Sequence, residues 1–493
     1  NLAKEYLPDF NYFLALSYYY NNDFEKSYLL TKDFKKNFPK TNYNEEIEYI
    51  NGINLFNLQK YDEAYDNLLL IRKKPQHSYY KNSLYYLTKI AIELNKLNEA
   101  EEYNNILLLD KKFRYNEVLF DSARIKFLRN QYNDALSILL AKLNDIKDLS
   151  LKNKYYYLIA FSYLATHNYI KSSEYFLELL KTEKDEFTLN EVYFNLGISY
   201  FKNNNYKKCI EIYEQFLNKF PDTRYKYDVI FWLGKSYFNI GKYNESINEL
   251  LKIIKEENKN LPDAIYTIAS ANFNLENYDT AIKYYNMFII KFPDSDFVPD
   301  AKFGIGLCYK RLNDVPNFIK IFEEIVKLYP ERSIAPSALF EIGKYFYENK
   351  NYKEAVVYYK TLIDSYLKFD LINNVIYELG TSQFALEEYD KAKITFEEFV
   401  KHQPDKVMEE KSLYFLGNIY FLKQDYAKAL EYFSKAKIPA FVDEINYKSG
   451  ICYFSLNNFD SAIYFLSSIN REKLNVNSYY HSLFLIGSAY NKL

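Results

Sequence analysis

Ala338-Leu339-Phe340-Glu341-Ile342-Gly343, with Tyr352-Lys353-Glu354-Ala355 and Tyr358-Tyr359 after it, is the stretch that decides the fold. The pattern returns along the chain with a period of about 37 residues, and Gly306, Gly343, Gly380 and Gly417 are spaced one period apart. Nine of the eleven glycines share that register: Gly52, Gly197, Gly234, Gly306, Gly343, Gly380, Gly417, Gly450 and Gly487. Numbering the glycine as position 8 starts units near Pro8, Glu45, Lys81, Asn116, Asn153, Asn190, Tyr227, Pro262, Pro299, Pro336, Asn373, Glu410, Asp443 and Tyr480. That gives thirteen helix pairs and a last single helix over residues 1–493. Self-similarity at this period predicts an all-α stacked array in which each unit packs on its neighbours.

Each unit reads as helix, turn, helix. In Val192–Phe201 apolar residues recur at three- and four-residue spacing, Asn203-Asn204-Asn205 interrupts, and Tyr206, Ile210, Tyr213 and Leu217 resume the period before Pro221. Pro8, Pro262, Pro299 and Pro336 stand at position 1, where a helix start tolerates proline. Pro39, Pro221, Pro293, Pro330 and Pro404 follow the second helix. Position 20 is Ala, Ser or Cys in twelve of thirteen complete units, which predicts that it meets the glycine at a close crossing of two antiparallel helices.

Net charge is −2 (63 basic against 65 acidic residues), so no basic face points to nucleic acid. No apolar run approaches the ~20 residues that span a bilayer. The chain opens Asn1-Leu2-Ala3-Lys4 without methionine, which fits removal of a leader or an upstream region. Cys209, Cys308 and Cys452 read as small buried hydrophobes. His77, His167, His402 and His481 fall in different units with no metal-ligand or triad spacing, and the glycines are committed to packing. No cofactor, metal or catalytic activity is expected.

With Gly at 8, Tyr at 11, Ala at 20, an aromatic at 24 and Pro at 32, the unit resembles the tetratricopeptide repeat, though with a longer period. The resemblance implies a right-handed superhelical α-solenoid that binds proteins without catalysis. The connectors Phe292–Ala301 and Tyr329–Ala338 resemble those of periplasmic tetratricopeptide proteins of the bacterial cell envelope. The Asn/Lys/Ile/Tyr-rich composition further resembles long spirochaete members that build the collar of the periplasmic flagellar motor, and so motility. A periplasmic module handling peptides or outer-membrane proteins, and a cytoplasmic adaptor, are the alternatives.

Position 5 is aromatic in all fourteen units and position 12 in ten of thirteen. In the resembled family both lie near the partner groove. Twenty-four rings at ~150–250 Å² each exceed any patch a soluble chain exposes, so most are expected in the core, with hydroxyls at the edges left for partners. Position 9 varies freely, from Lys89 and Arg124 to Thr381 and Asn418, and is the better carrier of specificity. The groove candidates are Lys235, Lys344, Tyr347, Tyr377, Thr381, Tyr414, Asn418 and Tyr447. Unit 299–335 is irregular: Phe318 fills the small position, Val315-Pro316 opens the second helix, and Lys310, adjoined by Arg311, replaces the aromatic at position 12. It is expected to hold a wider helix pair, a hinge or docking point.

Overall fold

The computed structural model describes residues 6–255, 257–402 and 404–493. The opening Asn1–Lys4 lies outside the described residues. Every described segment is helix, turn or connector, without a strand. The chain forms two compact units, one ending at Leu261 and one beginning at Pro262. Within each, successive helices pack as antiparallel hairpins in series, a solenoid, and first helices also touch the first helices of adjacent hairpins.

Most first helices start within two residues of the sequence register, as in Asn44–Asn57, Tyr80–Glu93 and Lys226–Asn239. Four begin four residues earlier: Leu149–Ala165, Glu186–Lys202, Lys406–Leu422 and Val476–Lys492. The cause is a side-chain cap, because Asp148, Asp185, Asp405 and Asn475 each accept backbone N–H groups of the added turn.

The turn inside each hairpin repeats through one residue. Position 15 is left-handed in all thirteen complete units: Asn22, Gln59, Asn95, Asn130, His167, Asn204, Gly241, Glu276, Asn313, Lys350, Glu387, Gln424 and Asn457. The N–H of position 16 reaches back to the carbonyl of position 11, as in Asn205 to Tyr200 at 2.8 Å, and closes the first helix. The rings at position 12 then meet the aromatic that opens the second helix. Phe201–Tyr206, Phe238–Tyr243 and Phe384–Tyr389 are edge-to-face at 5.3–5.4 Å, and the contact recurs in the other aromatic units.

The close crossing adds a third residue to the expected meeting of positions 8 and 20. A β-carbon on Gly343, Gly380 or Gly417 would collide with the large residue at position 24, namely Tyr359, Phe396 or Phe433. Glycine therefore makes room for a ring, and the small residue has another task. Ser172 Oγ at position 20 donates to the Ala160 carbonyl at position 8 (2.9 Å) and lies 3.1 Å from Ser199 of the next unit. Position 20 thus sits between two successive first helices. In the irregular unit Phe318 is fully buried and packs edge-on against Phe322 (5.1 Å) and Tyr345 (5.3 Å). Gly306 still abuts Phe322 as its counterparts do, so the expected wider hairpin is not seen there. The bulk of Phe318 is taken up at the seam with the following unit. Val315-Pro316 is accommodated too, since proline within the first two positions of Val315–Leu328 gives up no intrahelical bond.

Candidate binding groove

The row of first helices carries the rings of position 5. Several are covered by the residue just before the next first helix. Tyr12 stacks on Tyr43 (3.9 Å), Tyr49 on Tyr79 (4.7 Å), Phe194 on Tyr225 (4.4 Å) and Tyr414 on Phe441 (4.5 Å). At Tyr85 the guanidinium of Arg114 takes that place, 4.9 Å from the ring centre. Where position 5 is tyrosine, its hydroxyl often bonds to position 2 of the next unit. Tyr12 donates to Glu46 (2.8 Å), Tyr157 to Glu191 (2.6 Å) and Tyr85 to Glu117, while Tyr447 meets His481 (2.9 Å). These hydroxyls, expected at the edges for partners, instead fasten one unit to the next.

A second set of polar contacts crosses the same row. Lys89 Nζ donates to both oxygens of Asp121 (3.3 and 3.1 Å), whose side chain is only 1% exposed. Burial pushes the Asp121 carboxyl up, and the Lys89 ammonium pulls it back. Lys310 pairs with Glu341 at 2.8 Å. Burial likewise raises Glu378, which accepts the Tyr359 hydroxyl with Lys344 close enough to oppose the shift. Lys448 donates to Asn418 and Glu444 beneath the rings of Tyr414 and Phe421.

The row opens into a cleft of about 500 Å³ in the units that begin near Lys81, Asn116 and Asn153. Phe120, Phe127, Leu151 and Tyr157 wall it, and Lys89, Asp121, Arg124 and Lys154 line it. Arg124 reaches Glu93 at 2.9 Å on the rim. The cleft coincides with a break in the tyrosine–acid pattern. Position 5 is Phe120, without a hydroxyl, and position 2 of the next unit is Lys154 instead of an acid. Lys89 and Arg124 stood in the variable row of the sequence, but nothing there singled them out. The available signal was a basic residue, Lys154, at position 2 following a phenylalanine, Phe120, at position 5, a pairing that recurs at no other junction of the sequence. A larger opening of about 1020 Å³ lies between the connectors at Arg332 and Lys368, away from the row.

The sequence candidates are dispersed along the row. Thr381 is buried and donates to the Tyr347 hydroxyl at 3.2 Å. Tyr414 and Asn418 are buried. Tyr377 is half-buried against Phe396 and Phe415, and burial pushes its phenol up to about 12. Lys235 and Lys344 are half-buried over Phe231 and Phe340. Tyr347, Thr381 and Lys344 fall together around Glu378, Tyr414 and Asn418 around Lys448, and Tyr447 stands apart beside His481. In the irregular unit Lys310 is engaged by Glu341, Phe318 is core, and Arg311 is exposed.

All three cysteines are free and buried. His167 is a turn residue at position 15. Among the described residues no group of three or more His, Cys, Asp or Glu side chains is placed to hold a metal ion. No helix among them is long and apolar enough to cross a membrane.

Residues 266–333 and 377–443 match one tetratricopeptide-repeat family model, and residues 337–366 match another. Residues 202–288 match the model of anaphase-promoting complex, cyclosome, subunit 3. The comparison with curated proteins gave no match. Among solved structures, the chain is similar to a tetratricopeptide repeat protein from Parabacteroides merdae at 16% identity, covering 53% of this chain and 98% of that one, with a TM-score of 0.35. It is also similar to the C-terminal part of a TPR repeat-containing protein from Cytophaga hutchinsonii at 19% identity, covering 49% and 93%, with a TM-score of 0.40.

Proposed function

We propose, from the premise that the repeats of this chain are tetratricopeptide repeats and their fold a scaffold for protein–protein interaction, that the protein is a non-enzymatic adaptor holding a protein partner along its row of first helices. The observation that carries this reading is the cleft at Lys89, Asp121, Arg124 and Lys154. It combines aromatic walls with charged groups at the junction where a position-5 phenylalanine, Phe120, is followed by a basic residue, Lys154, at position 2 of the next unit. At other junctions, such as Tyr12–Glu46 and Tyr157–Glu191, the hydroxyl of the position-5 ring is engaged between units. An aromatic wall with a few fixed polar groups is the composition that gives a binding site both area and orientation.

We place this adaptor in a bacterial cell-envelope assembly, and within it the periplasmic flagellar collar. Support comes from the connectors Phe292–Ala301 and Tyr329–Ala338 and from the Asn/Lys/Ile/Tyr-rich composition. Native affinity capture with the full chain and with an Arg124→Glu/Lys154→Glu variant tests the binding role. The wild-type chain is expected to retain a partner that the variant loses by tenfold or more. Recovery of no protein, or equal recovery by both, refutes it. Fractionation of the native host, with the chain followed by antibody, tests the envelope placement, and a purely cytoplasmic distribution refutes that.

A further inference from the structure

His77 is 4% exposed in the connector that leads into Tyr80–Glu93. Its Nδ1 accepts the backbone N–H of Tyr79 at 3.1 Å, which puts the ring proton on Nε2, and Nε2 has no partner among the described residues. Two other connectors show what the repeat normally places here. Thr223 Oγ1 accepts the N–H of Tyr225 at 3.3 Å, and Ser295 Oγ accepts the N–H of Phe297 at 3.3 Å. In all three, the residue whose N–H is held carries the ring that meets position 5 of the preceding unit: Tyr79 on Tyr49, Tyr225 on Phe194, Phe297 on Tyr266. A hydroxyl acceptor cannot titrate in the physiological range. An imidazole can.

We propose that His77 is a pH-sensitive latch between the second and third repeats: protonation at Nδ1 removes the acceptor of the Tyr79 N–H and releases the Tyr79 ring from Tyr49. The charged groups around it come from every neighbouring element, and each is already occupied. Glu45, on Asn44–Asn57, accepts the N–H and Oγ of Ser78 at 3.2 and 2.7 Å. Glu48, on the same helix, pairs with Lys74 of the connector at 3.1 Å and Lys35 of Phe34–Asn37 at 3.4 Å. An imidazolium here is therefore left with two donors and no acceptor, Nδ1–H facing the Tyr79 N–H and Nε2–H facing no partner, in a buried site. Burial holds the imidazole below its usual range, with Glu45 and Glu48 opposing.

The sign follows from linkage. A histidine held neutral in the closed connector protonates more readily once the connector opens, so the latch is at full strength above about pH 6.5 and weakens as pH falls below it. The opening equilibrium is expected to rise by up to about tenfold per pH unit through that window. Hydrogen exchange of the amides around Tyr79, followed by mass spectrometry on the full chain from pH 5 to 8 and corrected for intrinsic exchange, reads this rise. His77→Thr, which restores the hydroxyl acceptor found at Thr223, is expected to flatten it, and the Thr223 connector is expected to stay flat in both proteins. A flat wild-type profile, or an equal rise in His77→Thr or at the Thr223 connector, overturns the latch. Exchange of the imidazole carbon-bound hydrogen in the wild-type chain gives the His77 midpoint independently of any variant, and a midpoint at or above about 6.5 overturns it as well.

Discussion

Tyr359 lies across Gly343 so closely that a β-carbon on the glycine would stand 2.5 Å from its Cε1. The ring is fully buried, and its hydroxyl donates to Glu378 of the following unit, so it is pinned from both sides. One glycine thus sets the hairpin crossing and, through the ring it admits, the junction to the next hairpin. Gly343→Ala gains up to about 1 kcal/mol of helix propensity but loses about 1–3 kcal/mol to overpacking. A net destabilisation is expected. Gly487, in the last helix, has open space where its β-carbon would be. Gly487→Ala is expected to be neutral or to stabilise by up to about 1 kcal/mol. Urea midpoints of the two variants against the parent chain check the contrast, and equal shifts would refute the packing argument.

Lys350 stands at the left-handed turn position with φ 60°. For a side chain with a β-carbon that conformation costs roughly 1–2 kcal/mol, whereas Gly241 adopts it at the same register position without that penalty. Lys350→Gly is expected to stabilise the hairpin by up to about 1 kcal/mol, part of the relief being offset by chain entropy in the unfolded state. Lys350→Val, β-branched, is expected to destabilise it. Thermal unfolding of the two variants should move in opposite directions.

The two turn residues also show what the sequence could and could not disclose. The ring stripes, expected in the core, are mostly half-buried, but the hairpin period and the proline positions were legible because each is fixed by composition at one register and repeats many times. The left-handed residue was not, because Gln59, Glu276, Lys350 and Glu387 carry no turn signature and the helices on either side impose their conformation. The glycine's second partner was missed for a related reason. The ring it admits lies sixteen residues on, as Gly343 to Tyr359, and a large residue there reads as ordinary core. The cleft was hidden by register between units. Lys89 meets Asp121 across 32 residues, Lys310 meets Glu341 across 31, and Tyr157 meets Glu191 across 34. The pairs join different register positions, so no constant spacing marks them.

Cys209, Cys308 and Cys452 are buried, and burial pushes each thiol up to about 12. The reactive thiolate is therefore scarce at neutral pH as well as shielded. The native chain is expected to leave all three unmodified by Ellman's reagent at pH 8 over the time in which the urea-unfolded chain reacts completely. Rapid labelling of any one cysteine in the native chain would contradict its placement in the core.

The Lys89–Asp121 pair gives the sharpest pH test of the cleft. Asp121 is almost wholly enclosed, and its carboxylate is tolerated because Lys89 donates to both of its oxygens. Removing one partner of a buried pair leaves a charge without compensation, at a cost of about 3–5 kcal/mol. Lys89→Met should therefore destabilise the first compact unit strongly at pH 8. The sign with pH follows from the direction of the Asp121 shift. Burial raises its folded-state pKa above the unfolded value, so the folded state holds the proton more firmly. Stability from this group is present below the unfolded pKa and is lost as pH rises through the folded one. Without Lys89 only the weaker pull of Arg124 opposes the shift, so the defect should shrink as pH falls towards 5 and Asp121 becomes a neutral acid. Asp121→Asn in the Lys89→Met background should remove that pH dependence, since the amide has no charge to shed. Urea unfolding of the parent, the single variant and the double variant at pH 5 and pH 8 reads all three outcomes. A Lys89→Met defect of equal size at both values would mean that Asp121 is hydrated in solution, and the cleft would then lack the enclosed carboxylate that distinguishes it from the rest of the row.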